Sequence, residues 1–151
     1  MRYYEDIADG ETGEYGAYEV TREEILEYAR EYDPLPFHTD EEAAEQSSMA
    51  GGLIASGWHV CSIQMRLIYD HFLKNAASMG SFGLDFINWR RPVRPGNILS
   101  CRYEVLSKRV SKSRPEMGIV KIRWELFDQT GEVKAETEGS QLFTVRAPVG
   151  G

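Results

Sequence analysis

The sequence predicts an α+β fold in which an antiparallel sheet wraps around one long central helix. Three observations lead there. Apolar residues recur at helical spacing from about residue 52 to 73, later segments alternate apolar with polar residues, and short turns separate those segments. The helical stripe is Ile54, Trp58, Cys61, Met65, Ile68 and Phe72, widened by Leu53, Gly57, Val60 and Leu67, so the helix is expected to be buried on most sides. Ser56, His59, Ser62, Gln64, Arg66 and Asp70 interrupt it, which rules out a membrane span.

Upstream of that helix, Tyr15 to Val20 reads as a short strand. Thr21 followed by Glu24 forms a capping box, and Ile25, Leu26 and Ala29, with Tyr28 and Tyr32, continue at helical spacing. Thr39 with Glu42 reads as a second capping box, opening a short acidic helix to about Gln46, and Ser47 to Gly52 is a loop of small residues. Downstream, Phe82 to Trp89 is a strand ended by Pro92, Pro95 and Gly96. Leu99, Cys101, Tyr103 and Val105 alternate with polar neighbours across Ile98 to Val105, as do Val120, Ile122, Trp124 and Leu126. Asp128 to Gly131 is a turn, and Val133 to Val145 is a last long strand.

A chain of 151 residues suits one domain, 1–151, burying roughly two-thirds of its unfolded surface. Order is expected from about residue 4 to 146, with Met1 to Glu5 and Ala147 to Gly151 disordered. Hydrophobic residues make up 42% and aromatic residues 11%, which excludes a disordered or low-complexity protein. Cys61 and Cys101 lie inside apolar patterns without metal-ligand spacing and read as buried free thiols. Acids and no apolar run occupy Met1 to Gly10, so no signal peptide and a cytoplasmic location are expected. The net charge of -7 is unevenly spread: residues 1–48 hold fifteen of the 24 acids, whereas residues 90–123 hold ten bases and two acids. A basic region of that kind can hold an anionic ligand, but an acidic chain without a recognised binding module argues against nucleic acid.

The chemistry centres on Tyr32, Asp33, Pro34, Leu35, Pro36, Phe37, His38, Thr39 and Asp40. Each proline removes a backbone donor and pushes its predecessor toward extended conformations, so Asp33 and Leu35 are held out of a helix. Fully extended, the loop would hold Asp33 and His38 roughly 16 Å apart, so a turn at Pro34 or Pro36 must bring them together. Spacing alone leaves two readings open: an acid and imidazole working as a pair, or a structural proline-rich turn.

Asp33, Pro36 and His38 resemble the signature of the MaoC-like dehydratases, the R-specific enoyl-CoA hydratases. The likeness runs from Tyr4 to about Arg146, through Val20 to Glu24, Met49 to His59, Asn88 to Gly96 and Ser111 to Pro115. It implies a hotdog fold, activation of one water by Asp33 and His38, and R-specific hydration of trans-2-enoyl-CoA or the reverse dehydration. It also implies an acyl-CoA substrate, with CoA as part of the thioester and no other cofactor and no metal, and a homodimer or higher homo-oligomer. On the same ground Gly52 is the expected oxyanion donor, with Gly51 and Leu53 beside it. Arg109, Lys112 and Arg114 are candidates for the CoA phosphates, or else a solvated hairpin. His59 reads as a core residue and His71 as a helix-end cation, while His38, Asp40 and His59 lack the spacing of a metal site. The family's loop carries an asparagine where Leu35 stands. Two alternatives stay open: a hotdog thioesterase, since such enzymes use similar pockets, or, with Leu35 in the asparagine's place, a domain that binds acyl groups or a partner without turnover.

Overall fold

The computed structural model describes residues 1–146. Strand β1 (Thr12–Glu19) is followed by helices α1 (Arg22–Tyr32), α2 (Pro36–Thr39), α3 (Glu41–Gln46) and α4 (Gly57–His71). Four strands then complete the chain: β2 (Ser78–Trp89), β3 (Ile98–Val110), β4 (Met117–Phe127) and β5 (Val133–Thr144). They form one antiparallel sheet in the order β1-β3-β4-β5-β2, with α4 packed on one face. This is the hotdog architecture.

Alternation does what the sequence promises: Leu99, Cys101 and Val105 of β3 and Val120, Ile122, Trp124 and Leu126 of β4 are all buried. Against them α4 turns Val60, Ile63, Leu67 and Ile68, and Phe72 closes the far end with Trp124 and Phe143. Helix and β1 come close enough that a side chain on Gly16, at φ 92°, would place its Cβ 2.7 Å from Leu67 Cδ2. Glycine is required there on both counts.

Two transverse rows of paired residues define the ends of the sheet. Cys101, Leu126, Ala135 and Trp89 lie across from one another at one end. Val110, Gly118, Phe143 and Ser78 do so at the other. Nine residues separate the rows along β3, about 30 Å at the rise of a strand.

Several expectations need correction. The long helix starts at Gly57, not near Gly52, because Ile54 N–H donates to Phe37 O and Ala55 N–H to Val93 O, drawing that stretch out as a connector. The predicted stripe is buried at its end, Ile68 and Phe72, but not along its length: Trp58 is 59% exposed and Met65 49%. The helix has apolar residues on two faces and only one meets its own sheet. Asp40, not Thr39, caps α3 by accepting from the Glu42 and Ala43 N–H groups, since Thr39 closes α2 and its hydroxyl donates to Leu35 O. The Thr21 and Glu24 box forms as read. The N-terminus is ordered: Arg2 N–H donates to Asn75 O, and Lys108 Nζ donates to Tyr4 O at 2.8 Å and Ile7 O at 2.5 Å. Ala147 to Gly151 lie outside the described residues. Both cysteines are free, Cys61 only half-buried; burial pushes the Cys101 thiol up to about 12.

His59 is buried as read, stacked on Tyr28 at 4.6 Å. Loss of water lowers its pKa, opposed by the Glu24 carboxylate. The unfolded imidazole, titrating at about 6.5, therefore binds its proton at higher pH than the folded one. Stability from this residue is complete above that pH and declines as pH falls through it. Wild type should lose more melting temperature between about pH 7.5 and about pH 5.5 than a His59→Phe variant, which keeps the ring stack without the titration. Parallel pH profiles in the two proteins would remove His59 from this role.

Candidate active site

Pro36 provides the turn that the loop needs. It occupies the first position of α2, where a missing N–H costs nothing, while Leu35 before it stays extended. The single helical turn brings His38 back toward Asp33, whose N–H ends α1 on Ala29 O. The Asp33 Oδ2 to His38 Nε2 distance is 3.4 Å. His38 Nδ1 lies 2.7 Å from Ile54 O. A carbonyl oxygen only accepts, so Nδ1 carries a hydrogen, and in the neutral ring Nε2 is the acceptor that faces Asp33.

Asp33 is gripped from α4. Ser56, fully buried at the N-cap of that helix, donates its hydroxyl to Asp33 Oδ2 at 2.6 Å. A serine at this place ordinarily caps its own helix. Here the hydroxyl is turned to Asp33 and makes no cap bond. The first N–H groups of α4, from Gly57 onward, consequently lie at the positive end of the helix dipole without a side-chain cap. Gly57 also admits Trp89: the indole Nε1–H donates to Gly57 O at 2.9 Å, and a Cβ on Gly57 would sit 2.6 Å from Trp89 Cε2.

Around the pair is an open cleft of about 640 Å³. Its walls are mainly apolar, with Phe37, Ile54, Trp58 and Trp89 prominent, and Arg90 and Arg91 stand at its edge. Arg90 shares the buried Glu136 carboxylate with Arg123. Arg91 donates to Arg90 O and has no carboxylate partner among the described residues. No group of acids, histidines and cysteines fit to hold a metal occurs among the described residues.

Asp33 and His38 are brought together as expected; the other candidates are not placed as read. Gly52 N–H donates to Ala44 O and Gly51 N–H to Ser47 O, so neither is free to meet an oxyanion, and both glycines precede α4 by several residues. What the glycines do is let Arg94 pass: its guanidinium donates to Ala50 O at 2.5 Å and lies 3.0 Å from where a Gly52 Cβ would be. Leu53 is buried in the core. Arg109, Lys112 and Arg114 sit at the Val110 end of the sheet, whereas the cleft lies at the Trp89 end. Leu35 is half exposed, and its carbonyl closes the turn by accepting from His38 N–H. Sequence reading missed Ser56, Gly57 and Trp89. Ser56 followed by a helical stripe was a usable N-cap signal, obscured because Leu53 and Ile54 extend the stripe backward.

In this hotdog fold the acid and the imidazole face each other beside the N-terminus of the central helix. The profile of the MaoC like domain matches residues 8–124, and the chain belongs to that family. A MaoC-like dehydratase from Rhodospirillum rubrum shares 35% identity and superposes with a TM-score of 0.85, covering 96% of this chain and 98% of its own. YdeM, an uncharacterized protein of Bacillus subtilis, is 30% identical over 115 residues, 76% of this chain and 79% of its own length. An R-hydratase from Pseudomonas aeruginosa, at 20% identity, shares the fold with a TM-score of 0.72 over 96% of this chain and 86% of its own.

Gly57→Ala should lower stability by roughly 1–3 kcal/mol through overpacking against Trp89. Chemical denaturation of Gly57→Ala, Trp89→Leu and the double variant checks this, the double costing less than the two singles added. Strict additivity would mean that Trp89 does not set the requirement for glycine.

Proposed function

We propose that the chain adds water across the double bond of a trans-2-enoyl-CoA to give an R-3-hydroxyacyl-CoA, and catalyses the reverse dehydration. The observation that carries this reading is the convergence of two acceptors, Asp33 Oδ2 and His38 Nε2, 3.4 Å apart at the wall of an apolar cleft. Two acceptors facing each other call for a donor between them. One water donating a hydrogen to each would present its remaining lone pairs to the cleft, aimed at C3 of the enoyl group. The pair takes one proton as the oxygen bonds to C3 and returns it to C2, so water is added whole and nothing is oxidised.

As C3 is attacked, negative charge moves to the thioester oxygen. The uncapped start of α4 supports placing that oxygen at the Gly57 N–H, where one backbone donor is worth about 3 kcal/mol. This replaces Gly52 in the role. Ser56 holds the Asp33 carboxylate in line with His38 and accounts for its own diverted cap. Phe37, Ile54, Trp58 and Trp89 suit the apolar acyl group, and the unpaired Arg91 suits an anionic part of the carrier at the rim. In this reading the working unit is a homodimer, because β2 is an unpaired sheet edge and exposed apolar side chains line it.

Asp33→Asn and His38→Ala should each lower turnover by roughly a hundredfold or more, with the fold kept. Ser56→Ala should lose roughly tenfold to a hundredfold in kcat, the worth of one hydrogen bond to a charged group, with little change in KM. Loss of enoyl-thioester absorbance and chiral analysis of the product read these outcomes. Near-normal turnover in Asp33→Asn, or release of free CoA thiol without hydration, would defeat the assignment.

A further inference from the structure

We propose that the acyl group runs inward from the cleft under α4 to a polar seat made by Gln64 and Tyr15, and that the preferred substrate carries a neutral oxygen, a hydroxyl or a ketone, about eight carbons from the thioester. This deepens the hydratase reading and rests on it for the place of the thioester.

Buried polar groups are nearly always hydrogen-bonded, so two that are not, side by side, call for a partner. Gln64 is 3% exposed, yet its Nε2 has no hydrogen-bond partner among the described residues. The Tyr15 hydroxyl is equally shut off from solvent and equally unpartnered. Both belong to one spot, marked by Cys101. Tyr15 stands opposite Cys101 in the β1 and β3 pairing. Burial raises the pKa of the Cys101 thiol, and the Gln64 amide beside it works the other way. A thiol is a weak acceptor and leaves the amide N–H and the phenol unsatisfied.

The seat lies in line with the cleft. Trp89, on the cleft wall, and Cys101 are the two ends of one row across the sheet, with the fully buried Ala135 and Leu126 between them. Helix α4 spans that row, meeting Trp89 at Gly57 and Cys101 at Gln64. Seven residues of helix separate the two contacts, about 10 Å at the rise of an α-helix. A thioester oxygen at the Gly57 N–H therefore has the seat roughly eight methylene lengths away along α4. One side chain stands between. Val60 lines the cleft, is 3% exposed, and precedes Gln64 by one turn on the same face of the helix. The cleft ends at Val60, and the unpartnered donors begin behind it. The bound acyl chain passes beneath Val60 and over Ala135, the smallest side chain of the row.

The chemistry of the seat selects its ligand. An amide N–H and a phenol O–H both donate, so the group that satisfies them is an acceptor oxygen. Burial raises the pKa of the Tyr15 hydroxyl, and the Cys101 thiol nearby adds to the effect, so Tyr15 keeps its proton and remains a donor. A carboxylate would surrender its water there for neutral donors alone, which is unfavourable beside a hydroxyl or a ketone. A plain alkyl end would leave both donors buried and unmade, as they are in the free protein.

The test compares octanoyl-CoA with 8-hydroxyoctanoyl-CoA by titration calorimetry. Wild type should bind the hydroxylated thioester roughly tenfold or more tightly, and Gln64→Leu and Tyr15→Phe should each lose most of that ratio. Both substitutions keep the size of the side chain and remove an unpartnered polar group from the core, so melting temperatures should not fall. Because the ratio is taken within each protein, a general loss of affinity does not imitate the result. No preference in wild type, or an undiminished preference in Gln64→Leu, would overturn the proposal. So would a crystal structure with 8-hydroxyoctanoyl-CoA in which a water, rather than the ligand hydroxyl, sits on Gln64 and Tyr15. The same ratio should appear in kcat/KM for trans-oct-2-enoyl-CoA and its 8-hydroxy analogue. The binding preference without hydration of either compound sinks only the reaction; equal binding and equal hydration of both sinks only the polar seat.

Discussion

The hydrogen bond from Ser56 to Asp33 ties the two halves of the protein together. It joins the end of α1 to the start of α4, elements that approach each other only because α4 is pressed into the sheet by Val60, Ile63 and Leu67. Ser56 is fully buried, and its hydroxyl has given up the capping of its own helix to make that bond. One contact thus serves twice: it fixes the carboxylate opposite His38, and it leaves the helix start open where charge would develop on a substrate. The His38 ring is held just as firmly from the other side by Ile54 O, on the connector that α2 and the 90–94 loop stretch between them. The pair is therefore positioned by backbone on one side and by a buried serine on the other, with little freedom left in either ring or carboxylate.

Trp89 links this site to the edge of the sheet. It closes β2, lies against Gly57 and donates to its carbonyl. Any chain that adds to the β2 edge would thus act within a few residues of the helix start. That adjacency extends to the second apolar face of α4: the exposed Trp58 meets Trp89 edge-on at 5.5 Å between ring centroids, beside the cleft. The charged face of the sheet is different in kind. There Glu136 is held between Arg90 and Arg123, and Lys121 is paired with Asp85, so its charges are largely satisfied within the chain.

How much of this was legible in the sequence varies with the range of the interaction. The alternation in β3 and β4, the Thr21 and Glu24 box and the Asp33, Pro36, His38 loop are local patterns, and each has a local physical cause: the two-residue period of a strand, an orphan N–H at a helix start, a fixed proline φ. They read correctly. The start of α4 did not, because Leu53 and Ile54 are apolar for a nonlocal reason, Leu53 in the core and Ile54 at the cleft wall, and a helical period cannot distinguish that from continuation of the helix. Gly52 failed as an oxyanion donor on the same account: only the folded chain shows that Ala44 O has taken its N–H.

The sequence by itself determined the α+β class, the strands, the capped first helix and the identity of the acid and imidazole, since these follow from periodicity, proline geometry and a short motif. Tertiary structure alone decided that Oδ2 and Nε2 stand 3.4 Å apart, that Ser56 and Trp89 belong to the site, and that Arg109, Lys112 and Arg114 lie at the far end of the sheet from it. The reason is that those relations depend on which strands are neighbours and in what register. Pairing of that kind is set by long-range closure of the sheet around the helix, and no local pattern in the chain records it.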